Sequence, residues 1–256
     1  MSEPLLEVAD LRKEFGGLTA TDDASFSVSA GTITGLIGPN GAGKSTLFNL
    51  ISGFYAADAG RISLHGSPIT DASPAEIAAA GCVRTFQTPR PLEGMTVREA
   101  MMIGPQNQPG ERLGNLLWRS GDVAAAERSN LRAVEQILAK FEIAHLIDQP
   151  ATDLSGGQLK LVELARGMLT EPDILLLDEP VAGVNPTLRN ALAGHLRRLH
   201  EDGTTLCIIE HDMEFIMELA DPIVVLDQGH VLMEGPPEAV RSDERVIEAY
   251  LGGERT

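Results

Sequence analysis

Apolar positions along this chain fall into short blocks separated by glycine and polar turns, and the blocks alternate between strand-like and helical spacing. Leu5-Leu6-Glu7-Val8 and Phe26-Ser27-Val28 have strand-like apolar content, with turns at Gly16-Gly17 and Ala30-Gly31, so residues 5–35 are predicted to be β structure. Ile33-Thr34-Gly35-Leu36-Ile37 is a further apolar run. Leu47-Phe48-Asn49-Leu50-Ile51, a few residues on, has helical spacing and is followed by Gly53, a C-cap residue. Arg61-Ile62-Ser63-Leu64-His65-Gly66 reads as a strand ending in a turn, and Ser73-Pro74 opens a short helix over 74–80. Val83-Arg84-Thr85-Phe86-Gln87 is a strand that ends on a polar residue.

The pattern then changes. Residues 104–121 are rich in Gly, Pro, Gln and Asn with little periodicity, which predicts a loop or irregular insertion. Asp122 is the predicted N-cap of a helix whose apolar stripe is Leu131, Val134, Leu138 and Phe141. Leu161, Leu164, Ala165 and Met168 mark a second helix. From Ile174 four apolar residues run unbroken into Asp178-Glu179, as in a parallel strand buried on both faces. A helix over 187–201, the strand Leu206-Cys207-Ile208-Ile209, a hairpin at 223–233 turning at Asp227-Gln228-Gly229-His230, and a helix through Val246 and Tyr250 complete the chain. Strands alternating with helices predict an α/β fold with a mainly parallel sheet, into which a helical lobe over about 88–168 is inserted.

Composition narrows the function class. A net charge of −17 argues against nucleic acid or anionic lipid as the main partner, because both demand a basic face. It leaves nucleotide open, since a few N–H groups, one lysine and a metal ion at contact distance outweigh a field screened over about 8–10 Å. No apolar run approaches the roughly 20 residues that span a bilayer. Met-Ser-Glu-Pro at the start has no basic or hydrophobic leader character, so secretion is not expected. Cys82 and Cys207 are solitary, which suits a reducing cytosol.

Between the third apolar run and its helix lies Gly38-Pro39-Asn40-Gly41-Ala42-Gly43-Lys44-Ser45-Thr46. Strand, glycine loop and helix form the context in which G-x-x-x-x-G-K-[ST] cradles phosphate. Backbone N–H groups curl around the β-phosphate, the helix N-terminus adds partial positive charge, Lys44 reaches the β- and γ-phosphates, and the Ser45 hydroxyl is placed for Mg²⁺. Asp178 ends an apolar strand where parallel sheets bind ligands and could hold Mg²⁺. Its neighbour Glu179 is the group to orient and deprotonate a water. Both are otherwise plain strand-end carboxylates. Ser155-Gly156-Gly157-Gln158 is a capping box, yet two glycines at a helix start sacrifice propensity unless backbone must meet something closely, such as a second phosphate. Phe15, upstream of the loop, reads either as a core-edge aromatic or as a surface on which a base stacks.

Along almost its whole length the chain resembles the nucleotide-binding subunit of ATP-binding-cassette (ABC) transporters. Gly38 to Ser45 match the Walker A motif, Gln87 the Q-loop, Leu154 to Gln158 the signature, Ile174 to Glu179 Walker B, and His211 the switch histidine. The resemblance implies one nucleotide-binding domain over 1–256, a P-loop NTPase with a RecA-like core, an antiparallel β subdomain and the inserted helical lobe. It implies ATP and Mg²⁺ as ligands, with Gln87 sensing metal and attacking water, and His211 contacting the γ-phosphate and steadying Glu179. Two such domains would pair head to tail, with a copy or a paralogue, so that Ser155, Gly157 and Gln158 of one close over the ATP of the other. Transmembrane permease subunits would dock near Thr88 to Met95, a solute-binding protein would act indirectly, and the chain would sit peripherally on the cytoplasmic face of the inner membrane.

Within the family, Lys13-Glu14-Phe15-Gly16-Gly17, Gly53-Phe54-Tyr55, Arg84-Thr85-Phe86-Gln87, Gly183-Val184-Asn185-Pro186 and Ile209-Glu210-His211-Asp212-Met213 are similar to the ATPases of branched-chain amino acid importers of the LivG type, as is the stretch 241–252. Urea importers and lipopolysaccharide exporters share much of this pattern, and soluble ABC proteins of ribosomes or DNA share the motifs. Two positions depart from the family pattern. The adenine-stacking residue, often Tyr, is Phe15, and the D-loop position that usually carries Asp is Asn185.

Overall fold

The computed structural model describes residues 4–85, 91–106 and 120–252, in two compact units: 1–87 with 173–256, and 88–172. Gln87, residues 88–90 and Trp118 lie outside the described residues.

In the first unit the chain opens with a hairpin, β1 (Leu6–Phe15) and β2 (Leu18–Val28), turning at Gly16 and Gly17, both at positive φ. β1 extends well past its apolar start. Arg12 pairs with Asp22 at 3.2 Å and Lys13 with Asp58 at 2.9 Å, so charged side chains stitch the outer half of the hairpin where no apolar face is needed. β4 (Ala59–Leu64) and β5 (Ser67–Pro68) complete an antiparallel sheet of order β2-β1-β4-β5.

The second sheet contains β3 (Ile33–Ile37), β6 (Cys82–Arg84), β7 (Ile174–Asp178), β8 (Thr205–Ile209), β9 (Ile223–Asp227) and β10 (His230–Gly235), in the order β10-β9-β3-β8-β7-β6. Every pairing in it is parallel except the β9–β10 hairpin. All five residues of β3, of β7 and of β8 are buried, which is why these strands read as unbroken apolar runs. Each such Leu or Ile contributes roughly 1.5–3 kcal/mol by leaving water.

Helix α1 (Lys44–Ile51) buries Leu47, Phe48, Leu50 and Ile51 in one cluster with Leu6, Val8 and Val28 of the first sheet and Leu36, Leu176 and Leu226 of the second. Ser52 occupies its C-cap and Gly53, at φ 73°, follows it. α2 (Pro74–Ala79) is closed by a reciprocal box between Ser73 and Glu76. The remaining helices of this unit are α6 (Pro186–Glu201), α7 (Met213–Leu219), α8 (Pro237–Ser242) and α9 (Glu244–Gly252). Both thiols are free and buried.

The second unit is helical among its described residues, with α3 (Val97–Met102), α4 (Ser120–Lys140) and α5 (Gly156–Met168) packed on one another. Val97 and Met101 of α3, Val134 and Leu138 of α4, and Leu161, Leu164 and Ala165 of α5 are buried, while Leu131 is half-buried. α4 already includes Ser120, so Asp122 stands in its first turn and is not its N-cap. No described helix is long and apolar enough to cross a membrane.

Candidate nucleotide site

The site begins with a helix that lacks a cap. α2, α3, α5, α6 and α7 each have a side chain at the N-cap accepting a backbone N–H: Ser73, Thr96, Ser155, Asn185 and Asp212. At α1 the N-cap is Gly43, no side chain caps it, and no acidic residue stands in its first turn. The first-turn N–H groups of a helix have no intrahelical acceptor, so this end presents donors and partial positive charge outward. Gly43 has φ 98°, and a Cβ there would lie 2.3 Å from the Ala20 carbonyl oxygen. At Gly38 the same atom would meet the Leu226 carbonyl oxygen at 2.2 Å. Only glycine lets the loop curl at both points.

Lys44 lies beneath this loop, 8% exposed, and its ammonium donates to the Gly38 and Pro39 carbonyls at 2.6 and 2.9 Å. Burial lowers its pKa, while the charges of Glu179 and Asp178 oppose that shift. The loop thus holds a lysine aimed at its concave side, with two carboxylates near enough to act on it. Ser45, next in the helix, is exposed.

Asp178, at the end of β7, is 5% exposed and bound to Arg84 of β6 at 2.8 Å. The same guanidinium donates to Asn49 Oδ1 at 2.7 Å and Ser52 Oγ at 3.1 Å, and it lies 5.7 Å from the centre of the Phe48 ring. Sequence reasoning missed this link. Its signal was an arginine inside a short strand beside the sheet's central runs, a position that must find a buried acid. Removing the cation from such a pair leaves a charge stranded, so Arg84→Ala is expected to cost about 3–5 kcal/mol in urea unfolding. A loss below about 1 kcal/mol, typical of exposed pairs, would show that Asp178 is solvated.

Glu179 follows at φ 48°, left-handed backbone that a non-glycine residue adopts at a cost of about 1–3 kcal/mol. Its N–H donates to the Ile209 carbonyl at 2.9 Å, which fixes it against the end of β8. The imidazole of His211 is 58% exposed, and its Nδ1 lies 3.8 Å from Glu179 Oε1. Lys44, Asp178, Glu179 and His211 therefore gather at one end of the parallel sheet, beside the phosphate loop, where open α/β sheets bind ligands.

Phe15 is 41% exposed at the end of β1 and meets the Tyr55 ring edge-on, with centroids 5.3 Å apart and planes at 71°; Lys13 Nζ lies 5.4 Å from its centroid. The residue is therefore exposed at the end of its strand and not part of the core. Tyr55, which props it, stood in the sequence only within the stretch Gly53-Phe54-Tyr55, with no role assigned to it. In the helical unit, Ser155 and Gln158 form the reciprocal capping box: Gln158 Oε1 accepts from the Ser155 N–H at 2.9 Å, and Ser155 Oγ accepts from the Gln158 N–H at 3.3 Å. Asn185 Oδ1 accepts from the Leu188 N–H at 2.9 Å, so this D-loop residue serves as a helix cap, a task for which Asn and Asp are equivalent.

The donor set fits magnesium. That ion takes one or two protein oxygens and completes its shell with phosphate and water, and Ser45 and Asp178 offer oxygens beside the loop. Among the described residues no cluster of three His, Cys, Asp or Glu forms an all-protein metal cage.

A profile of the ABC transporter family matches residues 21–182, and one of the branched-chain amino acid ATP-binding cassette transporters matches residues 230–256. The chain belongs to the ABC transporter ATP-binding family. Among curated relatives, this ABC ATPase is 42% identical over 252 residues to a probable branched-chain amino acid transport ATP-binding protein LivG of Methanocaldococcus jannaschii, with 97% of each chain covered. It is 40% identical over 250 residues to its namesake in Archaeoglobus fulgidus, covering 98% of this chain and 96% of that one. BraF of Pseudomonas aeruginosa, a high-affinity branched-chain amino acid transport ATP-binding protein, is 38% identical over 253 residues, covering 98% and 99%. A solved ATP-binding cassette of an ABC transporter in its ADP conformation superposes with a TM-score of 0.85 at 40% identity, covering 98% of this chain and 100% of that one. A nucleotide-free cassette gives 0.83 at 39%, covering 96% and 98%. The ABC ATPase accordingly has the α/β P-loop NTPase fold, binds nucleotide and hydrolyses ATP as a transporter subunit.

Proposed function

We propose that this ATPase powers import of branched-chain amino acids, working on the cytoplasmic face of the inner membrane beneath two permease subunits that receive solute from a binding protein. The observation that carries the chemistry is the buried Lys44 ammonium beneath an uncapped helix end, with Asp178 and Glu179 beside it. The substrate preference rests on the named relatives and on the match at residues 230–256.

In this reading the adenine of ATP stacks on Phe15, and the triphosphate lies along residues 38–46. Lys44 exchanges its loop carbonyls for β- and γ-phosphate oxygens, a charge-assisted contact roughly twice as strong as a neutral one. Ser45, Asp178 and Gln87 would hold Mg²⁺, which when bound would supply positive charge against the phosphate oxygens. Glu179 orients a water and takes its proton as the water oxygen bonds to the γ-phosphorus and the bond to ADP breaks. His211 steadies Glu179 and contacts the γ-phosphate. Ser155, Gly156, Gly157 and Gln158 of a second ATPase subunit, a copy or a paralogue, close over that phosphate. The helix end of α5 then gives N–H groups to an anion, which explains the glycines at its start.

The test is to purify the chain in detergent from its native membranes, identify what accompanies it, and assay the complex in vesicles. Two hydrophobic permease subunits and ATP-dependent leucine accumulation are expected. Copurification with ribosomes, or transport of a different solute alone, would overturn the reading. Within that complex Ser155→Arg is expected to leave ATP binding by the single chain intact and reduce turnover at least about a hundredfold, the scale of losing one transition-state donor. Normal turnover would remove the second chain from the site.

A further inference from the structure

Glu210 precedes the switch histidine and is entirely buried, the most enclosed carboxylate among the described residues. Nothing in the roles set out above uses it. Its two oxygens reach different segments. Oε1 accepts the N–H of Val181, two residues past Glu179, at 2.9 Å. Oε2 accepts the N–H groups of His211 at 3.1 Å and Asp212 at 3.4 Å, and lies 3.7 Å from His211 Nδ1. Burial pushes the carboxyl above its ordinary range, against the three backbone N–H groups and His211, which pull it down.

We propose that Glu210 is the positioning residue that locks Glu179 and His211 into one unit, by clamping the backbone behind each with a separate oxygen. The clamp complements the Glu179 N–H bond to the Ile209 carbonyl, so the left-handed turn at Glu179 is held from both sides. On the far side, Arg189 holds Asp212 at 3.1 Å, which leaves the histidine's backbone little freedom. A side chain that accepts on both arms is required. Glutamine is the same size but has one acceptor and one donor. Whichever way its amide turns, one segment faces N–H against N–H.

This inference rests on the proposed roles of Glu179 and His211, and the experiment separates the two. In the native complex with MgATP, Glu210→Gln is expected to lower kcat about tenfold or more, the scale of a misplaced catalytic group, while KM for ATP stays within about twofold. In a His211→Ala background, Glu210→Gln is expected to cost less than it does alone, because one of its two arms then has no imidazole to place. Unchanged kcat, an additive double variant, or an equal loss in ATP affinity would overturn the proposal. Glu179→Gln in the same preparation reports on the underlying reading: if it turns over normally, that reading fails, whatever Glu210 does. A further measurement needs no variant. Amide hydrogen exchange in the wild-type chain is expected to be slow at both Val181 and His211, and rapid exchange at either would overturn the clamp.

Discussion

Glu179→Gln is expected to bind ATP with wild-type affinity, to hydrolyse it about 10²–10⁴-fold more slowly, and to accumulate as a nucleotide-bound pair. The range is the usual contribution of a positioned general base. The substitution keeps the size of the side chain and the left-handed backbone, and removes the negative charge and with it the ability to accept a proton. A single-turnover measurement beside equilibrium nucleotide binding separates the two effects. Near-normal turnover would assign the base elsewhere. The strain at Glu179 gives a second expectation from the same residue. Glu179→Gly should hold or raise stability in urea while losing turnover, since glycine occupies φ 48° without penalty.

Lys44→Ala is expected to act earlier, on binding. The loop would lose the ammonium bridging the Gly38 and Pro39 carbonyls, and the triphosphate would lose its charged partner, so affinity for ATP should fall about a hundredfold or more in calorimetry. The pH dependence of the wild type follows from the lysine's lowered pKa. Between the folded value and the unfolded value near 10.4, the unfolded chain binds a proton that the folded chain releases. In that window this group makes folding more favourable as pH rises. Lys44→Ala should lack that rise. A bound triphosphate would oppose that shift, because its negative charge favours the protonated lysine.

Much of this architecture was legible in the chain itself. β7 and β8 stood out because strands covered on both faces need apolar residues at every position, and the phosphate loop stood out because Gly38 and Gly43 are demanded by backbone contacts that admit no Cβ. The outer half of β1 was harder to read, since ion pairs to Asp22 of β2 and to Asp58 just before β4 replace apolar alternation there. The start of α4 was misplaced because an acid suits a helix's first turn as well as its cap. The contacts of Arg84, Tyr55 and Glu210 were not legible, for a shared reason. Each acts through a partner distant in sequence, Asp178, Phe15 and Val181 respectively, and local pattern carries no record of such partners.

The single hydrophobic cluster around α1 reaches both the sheet that carries Phe15 and the sheet that carries the phosphate loop. In the proposed binding mode it would work as a ruler, with incompressible packing setting the spacing between the ring of Phe15 and the phosphate loop. A molecule shorter than a complete nucleotide, inorganic triphosphate for instance, would touch one end of the gauge and leave the other empty.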